Sequence, residues 1–126
     1  MGDLSKNFSR YEFACQGKNC CRHSAPVHPD LIIALQQLCD KLGRSLKINS
    51  GFRCNKHNLE EGGEPGSYHT LAMAADVACP KGLSIQDFLA AAESIPLFRQ
   101  GGIGVYPNRL HLDVRKKGPQ RWRKNE

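Results

Sequence analysis

Three side chains of types that bind metal ions lie far apart along the chain. His69 and Asp76 belong to one segment, residues 67–76, and His111 follows in a second segment. Two imidazoles and one carboxylate form the protein ligand set of a catalytic zinc site, in which the fourth tetrahedral position is left for water. The sequence therefore predicts one catalytic Zn²⁺ held by His69, Asp76 and His111.

The second segment alternates apolar and polar residues, in the order Leu110-His111-Leu112-Asp113-Val114. Successive side chains of an extended strand point to opposite faces. We therefore expect Leu110, Leu112 and Val114 to pack against the core, while His111 and Asp113 share the opposite face, where chemistry takes place.

Two helices are predicted from the spacing of apolar residues. The first begins at Pro29, a residue suited to a first helical position, and stops at Gly43. The second is capped by Ser84, with Asp87 three residues later. Its apolar face is predicted to comprise Ile85, Phe88, Leu89, Ala92 and Ile95.

Short strands separate these helices. Residues 46–49 and 74–78 have strand character, and the second of these carries Asp76. Residues 101–106 begin a hairpin that turns at 107–109 and returns through His111. The pattern predicts an α+β fold, a small antiparallel sheet with helices packed on it.

The length of 126 residues favours one domain over residues 1–126, with loose ends at 1–7 and 123–126, and we expect a monomer. The amino terminus has no apolar run of signal-peptide length, and no aliphatic run is long enough to span a bilayer. The expectation is a soluble protein without an export signal and without a membrane partner.

The chain is basic, with 18 Lys and Arg against 12 Asp and Glu and a net charge of +6. Such a charge favours anionic polymers, either nucleic acid or an anionic cell-wall polymer. A basic run near the end also fits a solvated tail. Nucleic acid ranks last, because interleaved aromatic residues and a reading motif are missing from the sequence.

Six cysteines without a signal peptide argue against an obligatory disulfide framework. Cys39 falls in the apolar pattern of the first helix and is predicted to be a small core residue. The other cysteines considered for disulfides or a second metal site are Cys15, Cys20, Cys21, Cys54 and Cys79. The sequence leaves those pairings open.

Three blocks of the sequence resemble the zinc D-alanyl-D-alanine carboxypeptidase family of peptidoglycan peptidases, whose fold is shared with the hedgehog amino-terminal domain. The first block runs from Asn49 to Arg53, with Cys54 and His57-Asn58 after it, and the second combines Ser67-x-His69 with Ala75-Asp76. The third leads from residues 102–107 into His111-Leu112-Asp113. Together the blocks are specific, and the resemblance extends over roughly residues 8–122 to the closing Arg121-Trp122.

The resemblance implies roles for individual residues. His69, Asp76 and His111 would hold the zinc, and Arg53 would face the substrate, where it can bond a terminal carboxylate or the oxyanion that forms on attack. Ser67 and Tyr106 are further candidates for substrate contact. Zinc-bound water, with its pKa lowered to about 7, would attack the peptide bond.

The general base departs from the family pattern. Better-known members place a glutamate three residues before the second histidine ligand, or a histidine two residues before it. Those positions are Asn108 and Arg109 here. Asp113, on the same strand face as His111, is then either the base or the group that orients that ligand, and both roles stay open.

Two functions follow from the resemblance. The first is a zinc metallopeptidase that cuts peptidoglycan peptides, as a D-alanyl-D-alanine carboxypeptidase or a cell-wall endopeptidase. It would be made in the cytoplasm and act on the cell wall, as a phage-type lysin released by a holin does. The alternative is a catalytically inactive, zinc-containing cell-wall binding module, which the missing glutamate at Asn108 favours.

Overall fold

The structure, a computed structural model, describes residues 4–13, 27–51 and 73–125. Within these ranges a 3₁₀ turn (Arg10–Phe13) precedes helix α1 (Pro29–Leu42) and strands β1 (Ile48–Ser50) and β2 (Ala74–Ala78). Helices α2 (Ile85–Glu93) and α3 (Pro96–Arg99) follow, and then strands β3 (Gly102–Val105), β4 (Arg109–Asp113) and β5 (Gln120–Arg123). The predicted α+β class is confirmed.

The described strands form one sheet in the order β1-β2-β4-β3-β5. β1, β2, β4 and β3 pair antiparallel, as predicted. The predicted antiparallel sheet has one further strand at its edge, β5, which pairs with β3 in parallel and makes the whole sheet mixed. The segment between β4 and β5 carries the chain back along the sheet, and sequence periodicity gives no signal for such a non-local pairing.

Local signals set the bounds of α1. His28 caps its start, with Nδ1 accepting a hydrogen bond from the Asp30 backbone N–H at 3.1 Å, and Pro29 takes the first helical position as predicted. Gly43 ends the helix in the left-handed region at φ 68°, and its N–H donates to Cys39 O. Cys39 is buried, as predicted, and burial raises the pKa of its thiol to about 11.

The second predicted helix is shorter than its apolar pattern indicates. Ser84 caps α2 by accepting from the Asp87 N–H at 3.0 Å, but the helix ends at Glu93. Ile95 is buried beyond its end in an extended conformation, because it precedes Pro96 and proline disfavours a helical residue before it. Pro96 then starts α3, which the sequence did not predict.

The core lies on one face of the sheet. Helices α1 and α2 cover the strand side chains that point toward them. The buried strand residues of this face are Ile48, Ala75, Val77, Ile103, Val105, Leu110 and Leu112. The opposite face is therefore free of helices from the described ranges and carries the polar side chains of β2 and β4.

Hydrogen bonds join residues near both ends of the described chain to the rest of the domain. Ser5 Oγ donates to Gln36 Oε1 at 2.7 Å, and Lys124 N donates to Val105 O at 2.9 Å. The predicted strand over 46–49 is displaced to Ile48–Ser50, where it pairs with β2 across a register shift. Within the described ranges, no helix combines the length and apolar character needed to cross a membrane.

Candidate functional site

The polar face of the sheet is built from three adjacent strands. On β4, His111 and Asp113 point away from the core while Leu110 and Leu112 point into it, as the alternation predicts. On β2, Asp76 lies directly opposite His111 in the ladder. Cross-strand partners lie side by side, so the sheet brings Asp76 next to His111 although 34 residues lie between them in the chain.

Asp113 is wholly buried and saturated with hydrogen bonds. Its Oδ1 accepts from Gly102 N at 2.8 Å and from Arg115 N and Nε at 3.1 and 2.8 Å. Its Oδ2 accepts from Arg115 Nη2 at 2.7 Å and lies 2.8 Å from His111 Nε2. Burial alone would raise the pKa of Asp113, but the bonds from Arg115 and His111 hold it well below its ordinary value.

An ionised Asp113 fixes the tautomer of His111. A carboxylate without a proton can only accept, so His111 Nε2 carries the hydrogen in that 2.8 Å contact. In the neutral imidazole the other nitrogen, Nδ1, is then an acceptor. Nδ1 faces Asp76 Oδ1 at 3.3 Å, which sets two electron-rich atoms against each other.

This pair of atoms fits a zinc ion. Ligand bonds of about 2.0–2.2 Å at tetrahedral angles place neighbouring ligand atoms about 3.3–3.5 Å apart. The Nδ1 to Oδ1 distance is 3.3 Å. A proton can also lie between these two atoms. Burial alone would lower the pKa of His111, but the Asp113 and Asp76 carboxylates raise it above its ordinary value. Both observations indicate a site that attracts a cation.

Glycines let the neighbouring groups come close to His111. A Cβ at Gly102 would lie 2.3 Å from Asp113 Oδ2, and a Cβ at Gly104 would lie 2.4 Å from the Trp122 ring. Across Gly104 the Trp122 ring reaches His111, with ring centroids 4.8 Å apart and planes at 49°. Asp113 thus holds one edge of the His111 imidazole, and the Trp122 ring packs against the imidazole.

Sequence reasoning did not assign roles to Arg115 and Trp122. Arg115 comes two residues after Asp113, a spacing that favours contact along an extended segment. Trp122 is the single tryptophan of the chain, but its contact with His111 depends on the parallel pairing of β5. The first residue could have been found from spacing and the second could not.

Tyr106 and Arg109 lie opposite each other where the β3–β4 hairpin closes. Tyr106 N donates to Arg109 O at 3.0 Å, and the Arg109 Cζ lies 3.9 Å above the centre of the Tyr106 ring. Trp122 Nε1 donates to Tyr106 Oη at 3.5 Å. Tyr106, a predicted substrate contact, is therefore part of the same polar face as His111.

The remaining predicted site residues, His69, Arg53 and Ser67, lie outside the described residues, as do Cys15, Cys20, Cys21 and Cys54. Within the described ranges, no three side chains are grouped as a complete metal site. Those ranges contain two of the three predicted ligands, Asp76 and His111. Cys79 is a free thiol whose Sγ donates to Leu83 O at 3.2 Å.

Comparison with known proteins assigns the chain to a family. A family model described as peptidase M15 matches residues 6–113, which include both Asp76 and His111. No curated protein matches the chain. The match spans most of the chain and confirms the resemblance to the zinc D-alanyl-D-alanine carboxypeptidases. The chain belongs to the peptidase M15 family.

Proposed function

We propose that the chain is a zinc-dependent metallopeptidase that hydrolyses peptide bonds of peptidoglycan. The observation that carries the proposal is the 3.3 Å distance between Asp76 Oδ1 and His111 Nδ1 on adjacent strands. The contact of Asp113 with His111 Nε2 sets the tautomer of the imidazole. Membership of the peptidase M15 family supports a peptidase of this type.

The proposed site holds the zinc with Asp76, His111 and His69, of which the last lies outside the described residues. Zinc held there would supply a water of lowered pKa and a Lewis acid for the scissile carbonyl. The chain's own residues bind and orient the substrate around it. Arg53, also outside the described residues, remains the proposed partner of a substrate carboxylate or the oxyanion.

We assign Asp113 a positioning role and not that of the general base. A base needs a lone pair free to take a proton from water and a pKa near the operating pH. Asp113 is 0% exposed, and Arg115 and Gly102 occupy its oxygens. Its hydrogen bonds lower its pKa still further from neutrality. Orienting His111 is the role that these contacts support.

We propose peptidoglycan as the substrate because of the family of the chain and because of its positive net charge. The net charge of +6 attracts the chain to an anionic cell wall. The cleaved bond is the terminal D-alanyl-D-alanine bond for a carboxypeptidase, or a cross-link for a cell-wall endopeptidase such as a phage-type lysin.

The test uses purified protein loaded with zinc and purified peptidoglycan. We expect one equivalent of bound zinc, release of peptide fragments detected by mass analysis, and loss of release with a chelator. Asp76→Asn should abolish release, whereas Asp87→Asn, an exposed acid on α2, should not. Cleavage that persists in the chelated protein would contradict zinc dependence.

A second function, an inactive zinc-containing cell-wall binding module, has a specific observation in its favour. Asn108 and Arg109 stand where better-known family members carry a base, and Asp113 is engaged by Arg115. Such a module would bind zinc and sediment with cell walls while leaving them uncut. Zinc binding together with fragment release would exclude it.

A further inference from the structure

Arg109 is a cation on the polar face of the sheet, next to His111. The two residues alternate with Leu110 on β4 and therefore share a face. Two residues along a strand are about 6.6 Å apart. The partner of Arg109 on β2 is Ala78, whose methyl side chain offers the guanidinium no hydrogen-bond acceptor. Arg109 thus stands within one substrate residue or two of the proposed metal.

Within the ranges that the structure describes, the Arg109 guanidinium is held by ring stacking and not by a hydrogen bond from its N–H groups. Its Cζ lies 3.9 Å over the Tyr106 ring centre, and the Tyr106 hydroxyl in turn accepts from Trp122 Nε1 at 3.5 Å. A guanidinium stacked on an aromatic face keeps its N–H groups at its edge, where they can bond a carboxylate in a bidentate fork. The stacking therefore orients these donors in advance.

Two other arginines of the same region show the contrast. Arg115 is bonded to Asp113, and Arg121 is bonded to Glu93 and to backbone carbonyls at the end of α3. In the part of the chain that the structure describes, no carboxylate lies within ion-pairing distance of Arg109. A half-buried cation with oriented donors is suited to a ligand that brings its own negative charge.

We propose that Arg109, supported by Tyr106, binds a carboxylate of the substrate close to the scissile bond. An extended peptide advances about 3.3–3.6 Å per residue, so the spacing from His111 to Arg109 corresponds to a carboxylate within about two residues of that bond. The inference rests on the proposed function. It assigns substrate recognition to the position where other members of the family use a proton-transfer residue.

The test compares two ligands that differ in one charge, N-acetyl-D-alanyl-D-alanine and its carboxyl-terminal amide. Calorimetric titration is carried out on the metal-free protein, because a carboxylate could otherwise bind zinc directly. Wild type should prefer the free acid. Arg109→Gln should weaken binding of the acid by about 10-fold or more and leave the amide unchanged, as loss of a charge-assisted hydrogen bond predicts.

Three control variants make the result specific. Arg109→Lys keeps the charge but not the fork, and should retain part of the preference. Arg44→Gln, at an exposed arginine that bonds Lys81 O, should retain all of it. Arg53→Gln tests the competing arginine: if this variant abolishes the preference and Arg109→Gln does not, the assignment is overturned. Equal weakening of acid and amide by Arg109→Gln, or no preference in wild type, also overturns it.

Kinetics separate this proposal from the proposed function. In the zinc-loaded enzyme, Arg109→Gln should raise KM for the free-acid peptide and leave kcat nearly unchanged, because the lost contact binds a group that does not react and is made equally in the ground state and the transition state. A wild type that prefers the acid but cleaves neither peptide nor peptidoglycan would contradict hydrolysis and leave the subsite standing. A wild type that cleaves, with KM unaffected by Arg109→Gln, would remove the subsite alone.

Discussion

Asp113 and Asp76 approach the same imidazole from opposite sides, and their surroundings differ. Asp113 is 0% exposed and bonded to Arg115, to Gly102 N and to His111 Nε2. The Asp76 side chain is 14% exposed, and its Oδ1 stands 3.3 Å from His111 Nδ1, farther than a strong hydrogen bond. Asp113 holds the ring by hydrogen bonding, whereas Asp76 faces its other nitrogen at the distance that the proposed shared cation would require.

The largest expected effect is the loss of zinc affinity on replacement of Asp76. Asp76→Asn removes an anionic oxygen from the proposed ligand set, and zinc affinity should fall by more than about 100-fold, beyond the roughly 10–100-fold that loss of a supporting partner costs. Competition with a chelator of known affinity measures the change. Asp87→Asn is the matched control on α2. Unchanged zinc affinity in Asp76→Asn would show that the two carboxylates do not have different roles.

Replacement of Asp113 should lower the stability of the protein and reduce its zinc affinity less than replacement of Asp76 does. Asp113→Asn leaves Arg115 without its buried anion, and the free energy of unfolding of the metal-free protein should fall by about 3 kcal/mol. Zinc affinity should fall by about 10–100-fold, since His111 loses its orienting partner. Denaturant titration and chelator competition measure these changes.

The same variant decides between the two roles left open by the sequence. Full stability and full zinc affinity combined with abolished turnover would support Asp113 as the base and contradict the positioning role.

Gly104 tests whether the packing of Trp122 on His111 matters. In Gly104→Ala the added methyl would meet the indole at 2.4 Å, so the ring must move away from the imidazole. Such overpacking costs about 1–3 kcal/mol of unfolding free energy. Gly82→Ala, where the new methyl meets open space and the only added cost is the strain of a φ of 84°, leaves the Trp122 ring in place and is the control. Zinc affinity equal in Gly104→Ala and wild type would show that the ring contact is dispensable.

The smallest expected effect is a pH dependence of the metal-free protein. The pKa of Asp113 is lowered from 3.8, so its contribution to stability is present above about pH 4 and is lost as the pH falls. The pKa of His111 is raised from 6.5, so its contribution is present below that pH and is lost as the pH rises through the folded-state pKa.

Their contact should therefore stabilise most between about pH 4 and 6.5, with at most about 1.4 kcal/mol lost per pH unit by each group. Denaturant titration at several pH values measures it. The acid limb should be missing in Asp113→Asn, and its persistence there would assign it to other carboxylates.

The predictable part of the molecule is the part governed by local sequence. Pro29 and Gly43 fix the ends of α1, and alternation in β4 places His111 and Asp113 on one face. These features follow from backbone geometry within a few residues. The pairing of Asp76 with His111 followed from the family resemblance and from the expected strands, and the ladder register shows it directly.

The parts that the sequence did not predict depend on contacts between distant segments. The role of Asp113 could not be chosen from its own strand alone, because the Gly102 N–H of β3 also binds its Oδ1. The bonds from Arg115 are local, and the two-residue spacing could have indicated them. β5 and the ring contact of Trp122 arise from a parallel pairing that has no periodic signature. The orientation of Arg109 likewise depends on the Tyr106 ring across the hairpin.

The contact between Trp122 and His111 gives the protein a built-in optical probe. Trp122 is the single tryptophan of the chain, and its indole centre lies 4.8 Å from the imidazole. Any cation that reaches His111 changes the electric field at that indole. Ultraviolet-excited emission of the unlabelled protein should therefore follow occupation of the site in real time, with no dye attached.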